Sequence, residues 1–198
     1  MHDRLRTQWR EREERADSPS AAVLDSQSTR SSPQGGDSGY DAGKKVKGRK
    51  RSLIADTLGL LLAVSISAAS VQDRDAADDA VAYSKEKYPS LGTLFVDSAY
   101  AGKWVQRTHQ LHAIDVQVIR GPNNRRTGQW HSEQGDLFSV EPAQAGFVVV
   151  PKRWVVERTH AWNERARPLI MHHDRLFAVS EAWVWLAEAR ILARRLTT

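Results

Sequence analysis

Residues 21–28, Ala-Ala-Val-Leu-Asp-Ser-Gln-Ser, place a small apolar run directly before a carboxylate. The run Ala21–Leu24 reads as a short buried strand that ends at Asp25. The same design recurs at Leu91–Val96 (LGTLFV), which leads into Asp97. A carboxylate at the carboxyl end of a strand projects where α/β folds build their sites. Hard divalent ions such as Mg²⁺ take oxygen ligands of this kind, one or two carboxylates together with substrate phosphates. An aspartate in the same place also caps the following turn, so both readings stand.

Outward from these two stretches, residues 1–17 mix acids and bases around Leu5 and Trp9, the pattern of a solvated helix with a thin apolar stripe. Residues 29–43, rich in Gly, Ser and Asp, read as a loop. Two β-capable runs then flank Asp56-Thr57-Leu58-Gly59 as a hairpin. Asp73 or Asp75 is placed to cap a helix that Pro89 stops. A helix over Lys103–Leu111 and a strand over Ile114–Ile119 follow. Residues 120–145 read as a loop, Gly146–Val150 as a strand, and Lys152–Arg167 and Phe177–Leu196 as closing helices. This order predicts an α/β or α+β core, a mixed sheet flanked by helices.

Glu157, in PKRWVVERTHAW, is a third carboxylate of interest. On a helix it shares a face with Arg153, Trp154 and Ala161, which fits either an ion pair with Arg153 or an inward-facing site. Six of the eight residues Lys44–Arg51 (KKVKGRKR) are basic. Such a run suits phosphate binding, with counterion release on association, or an edge strand blunted by lysines.

The 198 residues carry 29 Lys+Arg against 24 Asp+Glu, a net charge of +5 that admits a polyanionic partner. The absence of cysteine excludes disulfides, a thiol nucleophile and thiolate metal ligands. The longest apolar run, Leu58–Ala69, is too short to span a bilayer, and the charged N-terminus has no signal-peptide core, which predicts a cytoplasmic protein with no membrane partner. Residues 39–44 do not complete a phosphate loop, and neither a G-x-S-x-G nor an H-E-x-x-H pattern occurs.

The segments AAVLDSQSTRSS, GYDAGKKVKGRKRSLIADTLGLLLAV, ASVQDRDAA, LFVDSAYAGK and GFVVVPKRWVVERTHAW occur here in one order. Together they resemble the catalytic domain of bacterial insertion-sequence DDE transposases, in the IS five group with its IS four-like transposase DDE domain. The resemblance covers nearly the whole chain. It implies a ribonuclease-H-like fold over residues 18–198, preceded by the helical segment 1–17, with the DNA-binding region usual before such a domain missing. It implies Asp25, Asp97 and Glu157 as catalytic residues and metal ligands for two Mg²⁺, with Mn²⁺ as a substitute. Lys44, Lys45, Lys47, Arg49, Lys50, Arg51, Arg153 and Arg158 are then the expected DNA-binding residues.

The implied function is metal-dependent cleavage and strand transfer of an insertion sequence. Its partners are transposon-end and target DNA, and the chain works as a homo-oligomer on DNA, cytoplasmic and nucleoid-associated. The alternative is a truncated, catalytically silent chain that binds DNA or a partner subunit. Ser98-Ala99 stands where the family has Gly-Gly, a change expected to alter the backbone beside Asp97. Ser52 and Ser67 replace usual histidines, and Pro168 replaces an arginine or a similar residue.

Overall fold

Apolar runs with few turn residues pair into a six-stranded mixed sheet in the computed structural model, which describes residues 1–119 and 153–198. The strands are β1 (Ala21–Arg30), β2 (Gly39–Asp41), β3 (Val46–Asp56), β4 (Leu61–Ala68), β5 (Thr93–Val96) and β6 (Asp115–Val118). The helices are α1 (His2–Arg12), α2 (Asp73–Lys87), α3 (Lys103–His112), α4 (Arg153–Asn163) and α5 (Phe177–Thr197). The strand predicted at Gly146–Val150 and the loop predicted at 120–145 lie outside the described residues.

β3 lies between β1 and β4, antiparallel to both, and β5 and β6 extend the other side of β1 in parallel. The short β2 adds to the start of β3. This is the mixed, helix-flanked α/β sheet of the ribonuclease-H-like expectation. One sheet face packs Leu24, Ile54, Leu62 and Val96 against Ala77 and Val81 of α2 and Trp104 of α3. The other packs Val23, Leu53 and Phe95 against Val155 and Val156 of α4 and Val184 of α5.

The predicted hairpin forms because Asp56 builds its turn. Its Oδ1 accepts from the Leu58 and Leu60 amides, both at 2.9 Å, and Gly59 supplies a φ of +80°. The predicted cap of α2 is corrected: Gln72 is the N-cap and makes no side-chain bond, while Asp73 and Asp75 lie in the first turn. Residues 29–43 are not all loop, since β1 runs to Arg30 and β2 pairs with β3.

α1 also departs from expectation. It packs on α5 and buries His2, Arg6 and Arg10, not Leu5 and Trp9. Its arginines find oxygen partners there: Arg6 Nη1 donates to Asp17 O at 2.8 Å, and Arg10 pairs with the fully buried Asp56. Charged heads enter an interface when such partners wait for them. Among the described residues no helix is long and apolar enough to cross a membrane.

Candidate active site

β1 and β5 pair in parallel, Ala21 opposite Thr93 and Val23 opposite Phe95. The same register, carried two residues further, sets Asp25 level with Asp97. Strand side chains alternate between faces, so both aspartates belong to the face of Val23 and Phe95, beneath α4 and α5. The expectation that a strand ends at each aspartate is corrected for Asp25. β1 continues past it, still paired to β3 with Asp25 opposite Leu53, and it is the β5 neighbour that stops. The carboxylate therefore sits at a notch where β1 has lost one flank.

Under the notch lies Tyr100, buried, its hydroxyl 2.7 Å from Ser26 Oγ, which is 2.9 Å from Ser52 Oγ. Burial raises the Tyr100 phenol above its ordinary range, and the charges of Asp73, Asp25 and Asp97 push the same way. Asp97 Oδ1 accepts the Ala99 amide at 2.8 Å and caps a 3₁₀ turn over Ser98–Tyr100. The turn-capping reading of Asp97 is thus realised alongside its place at the notch. Ser98 and Ala99 are not among the residues with positive φ, so the backbone beside Asp97 needs no glycine.

α4 crosses above β1 and β3. Val156, Thr159 and His160 are buried under it, while Glu157 is exposed, one turn before His160. His160 Nε2 lies 3.5 Å from Asp25 Oδ2. Burial, aided by the Arg51 guanidinium, pushes the His160 imidazole down to about 3, so it stands neutral beside Asp25. No sequence pattern singled out this histidine; its i+3 spacing from Glu157 was the available signal. Arg153 opens α4, and its side chain is outside the description, as is any pairing with Glu157.

The donor set of two level aspartates with a third carboxylate on the covering helix suits a hard divalent cation in kind. Among the described residues, however, no three His, Asp or Glu side chains stand together closely enough to hold a metal. Asp25, Asp97 and Glu157 are thus not gathered into one cluster.

The basic run divides. Lys44, Lys45 and Lys47 are exposed, and Lys44 Nζ reaches the Ser26 carbonyl at 2.8 Å, next to Asp25. Arg49, Lys50 and Arg51 are buried, which corrects both the phosphate-contact and the edge-strand readings for these three, because β3 is an interior strand. Arg49 donates to the carbonyls of Asp37, Gly35, Arg175 and Leu176 and to Ser180 Oγ. Lys50 pairs with Asp73 at 2.6 Å. Arg51 Nη2 bonds Thr29 Oγ1 at 2.9 Å and the Leu169 carbonyl at 3.2 Å. Arg158 lies between the rings of Trp154 and Trp162, at 4.4 and 4.5 Å, and donates to Leu58 O at 2.8 Å. It fastens α4 to the β3–β4 turn.

Four buried groups give a pH dependence with two limbs. Burial lowers His2 and His172 to about 4 and His160 to about 3, so below pH 6.5 the unfolded chain binds protons that the folded chain refuses. Their contribution is present above pH 6.5 and is lost as pH falls towards 4, and for His160 towards 3. Burial raises Glu188 to about 8, so above pH 4.5 the unfolded chain releases a proton that the folded chain keeps, and stability is lost as pH rises towards 8. Thermal melts against pH should show the acid limb in both wild type and Glu188→Gln. The variant should gain on wild type from pH 5 to pH 8; equal curves at pH 8 would contradict the assignment.

No curated protein matches the chain. Among solved structures, the Mos1 mariner paired-end complex with Mn is similar at 10% sequence identity and a TM-score of 0.37, over 98% of this chain and 59% of that one. The chain therefore spans less than two thirds of that relative's length. The family model described as Transposase DDE domain matches residues 16–192, most of the 198. The chain belongs to the transposase DDE domain family.

Proposed function

We propose that this chain cuts and joins DNA strands as the catalytic core of an insertion-sequence transposase. The observation that supports the reading is the parallel β1–β5 register, which pairs the strand residues that lead into Asp25 and Asp97, within a chain of the transposase DDE domain family. Asp25 and Asp97 would hold divalent cations, with Glu157 completing the set by swinging in from the exposed side of α4 when substrate arrives. Two Mg²⁺, or Mn²⁺ in their place, would supply activation of a water or a 3′-hydroxyl and steady the leaving oxygen at phosphorus.

The chain's own residues have separate tasks. His160, which burial keeps neutral, lies beside Asp25 and packs α4 onto β1. Ser26, Ser52 and Tyr100 stiffen β1 where its flank is missing. Lys44, Lys45 and Lys47 line the approach and neutralise backbone phosphates without reading sequence, a role Arg153 would share from the start of α4. The DNA of transposon ends and target, a homo-oligomer on that DNA, and a cytoplasmic, nucleoid-associated setting belong to the same reading.

A second reading, a chain that binds DNA or a partner subunit without cutting, draws on the three carboxylates not standing as one cluster. Incubating the purified chain with transposon-end DNA separates the two. Nicked strands with Mg²⁺ or Mn²⁺ and none with a chelator are expected; DNA retained uncut under both conditions would favour the second reading.

A further inference from the structure

Two adjoining hollows, of ≈ 320 and ≈ 450 Å³, run between the end of α4 and the outer side of α5. They share Arg165, Ala166, Ala187 and Arg190, so they form one groove, which Trp162, Ile191, Trp183 and Leu186 also line. Arg167 lines one end, and Arg194 and Arg195 line the other. No acidic side chain lines either hollow.

The nearby carboxyls do little to offset these charges. Glu188 is buried beneath the groove and burial keeps it protonated near neutrality. Glu164 is turned to Gln27 Nε2, at 2.6 Å, and Glu13 acts on Arg195. Arg195 is itself held with its guanidinium 4.1 Å from the ring centroid of Trp162. Arg165, Arg167, Arg190 and Arg194 line the groove from both of its walls, and Arg190 and Arg194 stand one helical turn apart on α5.

The groove begins at the C-terminal end of α4, the helix that carries Glu157. Glu157, Ala161 and Arg165 follow one another at four-residue steps and all are exposed. Planar guanidinium forks match phosphate oxygens, and a row of them along one groove suits a sugar–phosphate backbone. A second copy of this chain would bring its own net charge of +5 to the same place and is disfavoured as occupant.

We infer that the groove is a phosphodiester track: a DNA strand leaving the carboxylate site runs its backbone past Arg165, Arg190 and Arg194. The inference rests on the proposed DNA-cutting role and extends it to a binding surface on α5.

The test is the salt dependence of binding to a short random-sequence duplex by the full chain. Each of Arg165→Ala, Arg190→Ala and Arg194→Ala should reduce the slope of log affinity against log salt by about 0.9, one phosphate contact apiece. The triple variant should lose between about two and three units of slope, with an unchanged melting temperature. Arg107→Ala, on α3 across the sheet, should leave the slope at the wild-type value. A wild-type slope in the triple variant, or an equal loss in Arg107→Ala, would overturn the track. Asp25→Asn should retain the full slope while losing cleavage. A wild-type chain that cuts DNA while the triple variant keeps its slope would remove the track alone, whereas a wild type that neither binds nor cuts would remove the DNA-cutting reading and the track with it.

Discussion

Asp25→Asn and Asp97→Asn should each lower divalent-ion-dependent strand cleavage by about 10³-fold or more, equivalent to about 4 kcal/mol of transition-state stabilisation. Asparagine keeps the size of the side chain and removes its charge, and a hard cation held by two carboxylates cannot spare one. The substitution is also gentle on the fold. In Asp97→Asn the side-chain amide oxygen can still accept the Ala99 amide that Asp97 Oδ1 now takes, so the 3₁₀ turn survives. Melting temperature and duplex affinity should therefore stay at wild-type values while cleavage falls. Gel assays of nicked product, read beside a thermal melt, decide the matter; either variant cutting at the wild-type rate would remove that aspartate from the site. Glu157→Gln should fall with them if the helix side chain joins the aspartates on DNA.

Arg49→Met should destabilise the chain by about 3–5 kcal/mol, the range for removing one side of a buried, hydrogen-bonded charge. The guanidinium ties three distant pieces of chain to β3: the 35–37 loop, the 175–176 loop and Ser180 of α5. It also stacks 4.8 Å from the centre of the Phe177 ring. Methionine fills comparable space but leaves the carbonyls of Gly35, Asp37 and Arg175 without a donor. At about 2–4 °C per kcal/mol for a chain of this size, the melting temperature should drop by about 6–20 °C. Lys47→Ala, within the same basic run but exposed, should move stability by no more than about 0.5 kcal/mol. Equal melts for Arg49→Met and wild type would contradict the account of the run.

That contrast shows why the basic run misled. Read in sequence, KKVKGRKR is one stretch of charge. What divides it is tertiary: carbonyls from residues 35–37, 169 and 175–176 converge on Arg49 and Arg51, and nothing local signals them. The arginines of α1 were hidden for the same reason, since Asp56 lies far along the chain from Arg10. β1 was cut short because Ser26-Gln27-Ser28-Thr29 has the composition of a turn, whereas pairing to β3 overrides that preference.

The legible parts had local causes. The hairpin was written in Asp56 and Gly59, and the end of α2 in Pro89. An apolar run precedes both Asp25 and Asp97, and their separation equals the β1–β5 register offset. His160, the side chain placed against Asp25, carried no comparable mark.

Asp25 and Asp97 holding a divalent cation together should show in calorimetric titration of Mn²⁺ into the chain bound to a DNA duplex. The expected result is saturable binding by wild type that disappears in the Asp25→Asn, Asp97→Asn double variant while the duplex stays bound. Mn²⁺ binding of equal affinity in the double variant, or none in wild type, would contradict it.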